Sequence, residues 1–263
     1  MLQNSHDHSW TSAWGVQMAG LVERLIVQGN WLFCRRSYLP LLILPILLVA
    51  LKDSPWLEKA VGDTMENLWE ILCLAVSLLG LGVRCMTVGF APRGTSGRTT
   101  QGQRASVLNS TGMYSLVRHP LYLGNFIITL GLILFVAVWW FALLGVLAFC
   151  LYYERIMIAE EEFLQRKFGA SYAEWAEKTP AILPRFKNWK PPSIPFSMRN
   201  VLKREYSGFF LIIASFSLLD IAEDLLTKGQ WGSNLGWIAL FFVGLMIYVT
   251  LRTLKRKTKI LDV

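Results

Sequence analysis

The sequence predicts an all-α, polytopic membrane protein built as a helical bundle. Of its 263 residues, 54% are hydrophobic and only 17% are charged, whereas a soluble domain has about a quarter charged residues. The apolar residues are grouped into blocks of the length that a bilayer crossing requires. The net charge is +8. A nucleic-acid-binding protein could share this charge but not this hydropathy, so we expect a membrane and no nucleic acid as partner.

The N-terminal region is expected to hold an amphipathic helix and the first span. Residues 14–33 have the pattern of a helix that lies on the membrane interface. Residues 38–51 are apolar but contain Pro40 and Pro45. Because a span needs about 20 residues, this segment must borrow from its flanks and is expected to kink. The polar start of the chain lacks a basic segment, which argues against a cleaved signal peptide.

The second span is predicted at residues 67–90, and a polar loop follows it. Arg84 lies within this span and is expected to face protein or to reach toward the nearer interface. Residues 92–109 are rich in Gly, Ser, Thr and Arg and show no apolar periodicity. This loop is therefore expected to be flexible or to be ordered by a ligand.

The uncharged stretch at residues 121–153 decides the predicted topology. As one helix it would extend about 50 Å, against a hydrocarbon core of about 30 Å. Continued to Glu160 it supplies about 40 residues, which is enough for two crossings at about 20 residues each. Trp139 and Trp140 lie near its middle, where aromatic residues mark a membrane interface. We therefore predict a central helical hairpin.

Two further spans, at residues 209–226 and 237–251, bring the predicted number to about six, with both termini cytoplasmic. In this topology the outer loops hold only three of the 26 basic residues, namely Lys52, Lys59 and Lys228. A single crossing at 121–153 would instead place basic stretches on opposite sides of the membrane. The positive-inside bias thus favours the hairpin. The predicted regions are 1–65, a core at 66–205, and a C-terminal hairpin with a basic tail at 206–263.

Arg118, His119 and Pro120 lie at the start of the hairpin. Proline suits the first turn of a helix and pushes the preceding residue out of helical geometry. His119 is thereby held at a helix N-terminus, which favours an anion, and Arg118 adds a forked donor for a carboxylate or phosphate. The alternative is a basic membrane anchor. In that interpretation the neighbours are interfacial aromatics (Tyr114 and Tyr122) and loop or packing glycines (Gly112 and Gly124).

Glu160 and Glu161 follow the fourth predicted span. Consecutive helix positions point about 100° apart, so at most two of these residues and Glu162 face inward together. The alternative is a solvated helix face. Facing inward, the carboxylates suit a ligand with ammonium, sulfonium or ribose hydroxyl groups. The hairpin would bring them to Arg118 and His119 at the cytoplasmic face, where the set matches a zwitterionic, hydroxylated cofactor and forms a catalytic pocket.

These residues form two sequence blocks: Gly112-x-Tyr114-x3-Arg118-His119-Pro120-x-Tyr122-x-Gly124, and Glu160-Glu161-x2-Leu164-x3-Phe168-Gly169-x2-Tyr172-x2-Trp175. The blocks resemble the isoprenylcysteine carboxyl methyltransferase-like membrane methyltransferases, a group that includes phospholipid methyltransferases. The resemblance covers roughly residues 66–186. It departs from the family at Trp175, where tyrosine is usual. The frequent Val-Pro-Arg near the end appears only as Thr179-Pro180 and Pro184-Arg185.

The resemblance implies an S-adenosylmethionine-dependent methyltransferase, with its cofactor entering from the cytoplasm and a lipophilic acceptor entering from the bilayer. Arg155 is a weaker candidate for the acceptor side. A carboxylate acceptor needs no base, whereas an amine would need deprotonation, for which Glu160 or Glu161 is a candidate. The implied catalytic residues are Arg118, Glu160 and Glu161. The implied cofactor-binding residues are Gly112, Tyr114, Arg118, His119, Tyr122, Gly124, Glu160 and Glu161.

Other functions stay open from the residues alone. A membrane reductase of the sterol or steroid type has a related Arg-His-Pro block and binds NADPH, and a non-catalytic anchor or scaffold would need neither block. A transporter is disfavoured because few ionisable residues lie mid-membrane. The four scattered cysteines predict neither a metal site nor a disulfide framework. The acceptor (an isoprenylcysteine, an aminophospholipid, a quinone-like lipid or a small thiol) and the oligomeric state are left undetermined.

Overall fold

The computed structural model describes residues 7–36, 38–54, 56–92, 103, 105–229 and 234–258. This part of the chain is helical and contains no β-strand, which confirms the all-α prediction. The expectations for the first six residues and for most of the loop at 92–109 lie outside the described residues. The helices are α1 (Asp7–Arg35), a 3-10 turn (Leu39–Ile43), α2 (Leu44–Ala50), α3 (Trp56–Val61), α4 (Asp63–Gly89), α5 (Met113–Leu116), α6 (Pro120–Phe135), α7 (Trp139–Phe168), α8 (Ala170–Lys178), a second 3-10 turn (Phe186–Asn188), α9 (Met198–Thr227) and α10 (Leu235–Lys257).

Three described helices, α4, α7 and α10, are long and apolar enough to cross a membrane, and these helices make the chain an integral membrane protein. A fourth span is possible if Gly20–Arg35 and Leu39–Ala50, which meet at a 90° bend, count as one. Pro40 and Pro45 lie at the starts of the two short helices after the bend, as the predicted kink requires.

The predicted number of six spans is not confirmed. Helix α6 has 16 residues and extends only about 24 Å, which is less than the hydrocarbon thickness of about 30 Å. Helix α9 is long but carries Glu205, Asp220 and Asp224, all buried, and it is not among the helices that meet the length and hydropathy requirement in the described part.

The central hairpin is present, with α6 and α7 antiparallel. In each pair of contacting residues, the two residue numbers add up to nearly the same value. This is the pattern that two antiparallel helices produce. Ala137 lies in the intervening turn with φ of 56°, and its carbonyl oxygen accepts a hydrogen bond from the Trp56 indole at 2.6 Å. We call this the turn end of the bundle, and the opposite end the site end. The contacting pairs are Asn125 with Tyr153, Phe126 with Phe149, and Ile133 with Gly145.

Small residues let α4 approach the hairpin closely. A Cβ atom on Gly80 would lie 2.6 Å from the backbone nitrogen of Ile128 and 2.7 Å from the carbonyl oxygen of Gly124. The Ser77 hydroxyl donates to the Ile128 carbonyl oxygen at 2.8 Å. Close backbone approach through small residues is typical of helix packing in membranes. It fixes the position of α6, which carries half of the predicted site.

Helix α9 is joined to this core by a buried ion pair. Arg84 of α4 donates from Nε and Nη2 to the two carboxylate oxygens of Glu205, both at 2.9 Å. Arg84 therefore faces protein, one of the two arrangements expected for it. The predicted region boundaries at 65/66 and 205/206 fall inside α4 and α9, and the division into three regions stays a prediction.

Candidate active site

The first sequence block forms the connection into α6. Val117 is extended, and His119, at φ −119° and ψ 61°, lies just outside the helix that Pro120 begins. The non-helical backbone of His119 follows from the steric restriction that proline places on the residue before it. The backbone N–H of Arg118 donates to the Pro180 carbonyl oxygen at 2.8 Å. The connection is thus held by the loop at residues 179–197.

The hairpin brings the two sequence blocks into contact and forms a charged cluster of Arg118, His119, Glu160 and Glu161. His119 Nε2 lies 2.9 Å from Glu161 Oε1, and its Nδ1 lies 3.7 Å from Glu160 Oε2. Arg118 Nη1 lies 3.2 Å from Glu161 Oε2. Because a carboxylate can only accept, His119 Nε2 donates to Glu161. The His119 side chain is 6% exposed, whereas Glu160 is 32% exposed, so ligand can reach the cluster from the Glu160 side.

The third glutamate of the acidic run points elsewhere. Glu162 accepts from Arg166 Nε, one helical turn further along α7. This divergence follows from the 100° step between consecutive helix positions. A concavity of about 210 Å³ lies on this other face, between α1 and α7, and is separate from His119. Its lining is Ile26, Asn30, Gln103, Ala159, Glu162, Phe163 and Arg166.

An aromatic column extends from His119 toward the turn end. The Tyr122 ring stacks on the imidazole, with centroids 5.6 Å apart and an interplanar angle of 18°. Its hydroxyl lies beside the Glu160 carboxylate. Tyr153 lies 5.0 Å from Tyr122 and stacks on Phe149 at 4.2 Å. The charged cluster therefore rests on a wall of rings that continues along the hairpin.

Two polar atoms beside Glu161 are buried without a hydrogen-bond partner in the described part of the chain. They are Arg118 Nε and the Tyr172 hydroxyl. The Tyr172 hydroxyl lies close to the Arg118 guanidinium and the Glu161 carboxylate. Burial raises the pKa of Tyr172 above its ordinary value, and the Glu161 carboxylate adds to this effect. Tyr172 is thus protonated at neutral pH, and both atoms are donors with spare capacity.

Gly112 and Tyr114 lie in the segment that holds the 179–197 loop. Gly112 has a φ of 59°, a region that favours glycine, and its N–H donates to the Lys190 carbonyl oxygen at 2.9 Å. The Tyr114 carbonyl oxygen accepts from the Trp175 indole at 3.1 Å. These contacts are with α8 and the 179–197 loop, and the predicted role of Gly112 and Tyr114 in cofactor binding stays a prediction.

Gly124 lies on the face of α6 that packs on α4. A Cβ atom there would lie 2.5 Å from the Arg84 side chain and 2.9 Å from the Gly80 carbonyl oxygen. This location is that of a packing glycine, the alternative that the sequence left open. Its predicted contact with a cofactor is likewise untested.

Four residues without a predicted role form a polar chain beneath the aromatic wall. Arg84 Nη1 donates to Asn125 Oδ1 at 2.7 Å, and Asn125 Nδ2 donates to the Tyr153 hydroxyl oxygen at 3.1 Å. Glu205 holds Arg84 at the other end. Tyr153 precedes Glu160 by seven positions, which puts both on one face of α7. This spacing is the signal in the sequence that could have identified Tyr153 as a neighbour of the site.

Arg155, the candidate for the acceptor side, donates instead to Gln28 of α1 at 3.3 Å.

The described residues hold no group of three or more His, Cys, Asp or Glu side chains arranged for a metal ion. All four cysteines are free thiols.

Comparison with known proteins finds a family model that matches the segment holding this site. Residues 71–171 match the phospholipid methyltransferase family model. The chain is 30% identical over 130 residues to the nickel-cobalt-cadmium resistance protein NccN of Alcaligenes xylosoxydans xylosoxydans, which covers 49% of this chain and 61% of that protein. It is 29% identical over 163 residues to the cobalt-zinc-cadmium resistance protein CzcN of Cupriavidus metallidurans, which covers 60% of this chain and 75% of that protein.

The chain thus spans about three fifths of the first of these relatives. No solved structure matches. The family match confirms the resemblance drawn from the two sequence blocks, and it does not favour the reductase alternative. Every predicted site residue lies between positions 112 and 161, within the segment 71–171 that matches the phospholipid methyltransferase family model.

Proposed function

We propose that this protein transfers a methyl group from S-adenosylmethionine to a lipid acceptor at the cytoplasmic face of the membrane, with both termini on that side. The observation that carries the proposal is the charged cluster itself. A hairpin within the family-matched segment brings Arg118 and His119 to within 2.9–3.7 Å of the Glu160 and Glu161 carboxylates. Opposite charges gathered at one membrane surface suit a zwitterionic cofactor.

The residues present fit that cofactor. Arg118 Nε is a buried donor without a partner in the described part, and it suits the cofactor's carboxylate. Tyr172 offers a second donor at the same place. The stacked rings of His119 and Tyr122 supply a flat surface for the adenine or a π-face for the sulfonium. Each feature of the ligand thus has a counterpart among the described residues.

The two glutamates have different parts in this proposal. Glu161 already accepts from His119 and lies against Arg118, so its carboxylate positions those two side chains. Glu160 lies 3.7 Å from His119 and beside the Tyr122 hydroxyl, and it is more exposed than Glu161. We therefore assign the ammonium group or ribose hydroxyls of the ligand to Glu160, and with an amine acceptor Glu160 is also the candidate base.

When bound, S-adenosylmethionine supplies a methyl group whose bond to sulfur breaks as the bond to the acceptor atom forms, with the electron pair left on sulfur. The protein has to align the acceptor with that methyl group and to exclude water. The half-buried Tyr122 ring and the buried His119 imidazole provide the wall that excludes water from the site. The lipid acceptor is proposed to reach it along the hairpin.

Binding and turnover together test this proposal. Purified protein in lipid nanodiscs would be titrated calorimetrically with S-adenosylhomocysteine and, separately, with NADPH. The same protein would then be incubated with methyl-labelled cofactor and total host lipid, and labelled products identified by mass spectrometry. We expect binding of S-adenosylhomocysteine and labelled lipid. Binding of NADPH alone, or an absence of labelled lipid product, would contradict the proposal.

Matched variants locate the site. Arg118→Ala and Glu160→Ala should weaken S-adenosylhomocysteine binding roughly 10- to 100-fold, as expected for loss of a charged hydrogen bond. Glu162→Ala is the control, because Glu162 pairs outward with Arg166 and should leave the affinity unchanged. Equal affinities in all three variants would place the cofactor elsewhere.

A further inference from the structure

Tyr153 lies on the turn-end side of the charged cluster. It precedes Glu160 by seven residues on α7, which places it about 10 Å deeper along the helix axis and on the same face. Its ring contacts Tyr122, which in turn stacks on His119. A lipid that approaches the cluster along the hairpin would therefore meet Tyr153 before it meets Glu160.

The hydrogen bonds beneath Tyr153 run in one direction. Arginine can only donate, so the Asn125 oxygen must face Arg84, to which it lies at 2.7 Å. The Asn125 amide nitrogen then donates to the Tyr153 oxygen at 3.1 Å. This bond uses a lone pair of Tyr153 and leaves its O–H free to donate. Among the described residues none accepts that proton, since the bond from Asn125 accounts for the hydrogen bonding of this hydroxyl.

Glu205 holds Arg84, the residue at which this series of hydrogen bonds begins. It accepts two bonds from Arg84, and the pair is nearly dry, with side chains 16% and 4% exposed. A neutral, bidentate pair adds no net charge beside the site but prevents the guanidinium from turning. Glu205 lies on α9, outside the family-matched segment. The C-terminal helices are thus coupled to Tyr153 through Arg84 and Asn125.

We propose that Tyr153 is an acceptor-binding residue, which donates a hydrogen bond to an anionic oxygen of the lipid next to the atom that is methylated. The inference rests on the proposed methyl transfer and names the recognition chemistry of its acceptor. The oxygen is that of a carboxylate or a phosphodiester, because an oriented donor binds such groups and disfavours an ammonium group. Arg84, Asn125 and Glu205 are positioning residues that hold the Tyr153 hydroxyl in this direction.

The test compares Tyr153→Phe with Tyr152→Phe in nanodiscs. Tyr152 is the matched control, because its hydroxyl faces α1 and donates to the Leu32 carbonyl oxygen at 3.4 Å. Two acceptors distinguish the sources of the oxygen: phosphatidylethanolamine, which has a phosphodiester, and S-farnesylcysteine, which has a carboxylate. For the acceptor that the wild type methylates, Tyr153→Phe should lower kcat/KM roughly 10- to 100-fold through a higher KM. Its Kd for S-adenosylhomocysteine should stay within about twofold of wild type.

A second variant tests the direction of the hydrogen bonds. In Asn125→Asp the carboxylate can only accept, so the Tyr153 hydroxyl would turn to donate to it. This variant keeps the contact with Arg84, and it should reproduce the acceptor KM of Tyr153→Phe while it retains cofactor binding and a cooperative thermal transition. Tyr153→Phe kinetics equal to those of Tyr152→Phe would overturn the inference, as would unchanged acceptor KM in Asn125→Asp.

Failure of the proposed function looks different from failure of this inference. If the wild type neither binds S-adenosylhomocysteine nor labels any lipid, the proposed function fails and the inference with it. If the wild type labels lipid and both tyrosine variants match it, only the role of Tyr153 fails.

Discussion

Two arginine–glutamate pairs in this protein differ in how completely they satisfy each other. Arg84 and Glu205 form two parallel bonds of 2.9 Å, with side chains 16% and 4% exposed. Arg118 and Glu161 have one contact of 3.2 Å and are 20% and 27% exposed. Arg118 also keeps Nε buried without a partner in the described part. The same two residue types thus form a closed pair in the bundle and an open pair at its site end.

The difference indicates what each pair is for. A closed, dry pair has no capacity left for a ligand, and its loss would leave one buried charge uncompensated. An open pair with an unused donor can accept a charged ligand without rearranging, and its greater exposure brings its contribution to folding closer to that of a surface ion pair, about 0–1 kcal/mol. We therefore expect changes at the closed pair to affect stability and changes at the open pair to affect activity.

The largest effect is expected at the closed pair. Glu205→Ala leaves the Arg84 guanidinium buried with Asn125 as its remaining side-chain partner among the described residues, and should lower the free energy of unfolding by about 3–5 kcal/mol. The measurement is thermal or denaturant unfolding in detergent, by intrinsic fluorescence. The exchanged double variant Arg84→Glu with Glu205→Arg should recover part of this loss. A stability loss below about 1 kcal/mol, the range of an exposed pair, would show that the two pairs do not differ as described.

At the open pair we expect the reverse. Glu161→Gln keeps the side-chain shape but removes the charge that holds Arg118 and His119, so methyl transfer should fall roughly 100-fold, as for loss of a positioned charged group. The free energy of unfolding should change by no more than about 1 kcal/mol. Labelled-methyl transfer and unfolding would be measured on the same preparation. A variant that is strongly destabilised but still active would reverse the assignment.

The open pair could be anticipated from the sequence, whereas the closed pair could not. The length of the uncharged stretch and the distribution of basic residues predicted the hairpin, and the hairpin alone brings His119 to Glu161. Arg84 and Glu205 are 121 positions apart, and several acidic residues of α9 were equally available as partners of Arg84. Their pairing depends on the packing of α9 against α4, which hydrophobic patterning does not specify. The predicted number of six spans is not confirmed for a related reason, because an apolar run does not reveal that α6 is only 16 residues long.

Helix packing next to the closed pair gives an intermediate effect. In Gly80→Ala the new methyl group would meet backbone atoms of α6 at 2.6–2.7 Å, so α4 and α6 must separate, at a cost of about 1–3 kcal/mol. Gly82→Ala is the matched control, since a Cβ atom there meets nothing within 4 Å and alanine is favoured over glycine in a helix by about 1 kcal/mol. Unfolding of the two variants would be compared. Equal stabilities would mean that α4 and α6 are not in close contact.

The smallest effect is expected at Tyr172, beside the open pair. Its pKa is raised above the ordinary 10.0 by burial, so the folded state binds the phenolic proton more tightly than the unfolded state does. Because burial penalises the phenolate, the free energy of unfolding is unaffected well below pH 10 and decreases as the pH rises further, by up to about 1.4 kcal/mol at pH 11. Tyr172→Phe removes this decrease, and the variant should lose less stability than the wild type between pH 9 and pH 11.

At neutral pH the same substitution separates the stability role of Tyr172 from a ligand role. Removing a buried hydroxyl that has no partner in the described residues should leave stability unchanged or slightly raised. If Tyr172 donates to the cofactor, the affinity for S-adenosylhomocysteine should fall about 2- to 10-fold, as for a neutral hydrogen bond. Calorimetry at pH 7 and unfolding at pH 9 and 11 check the two parts. An unchanged affinity would mean that Tyr172 does not donate to the cofactor, which would leave Arg118 Nε as the unpaired donor at the open pair that can do so.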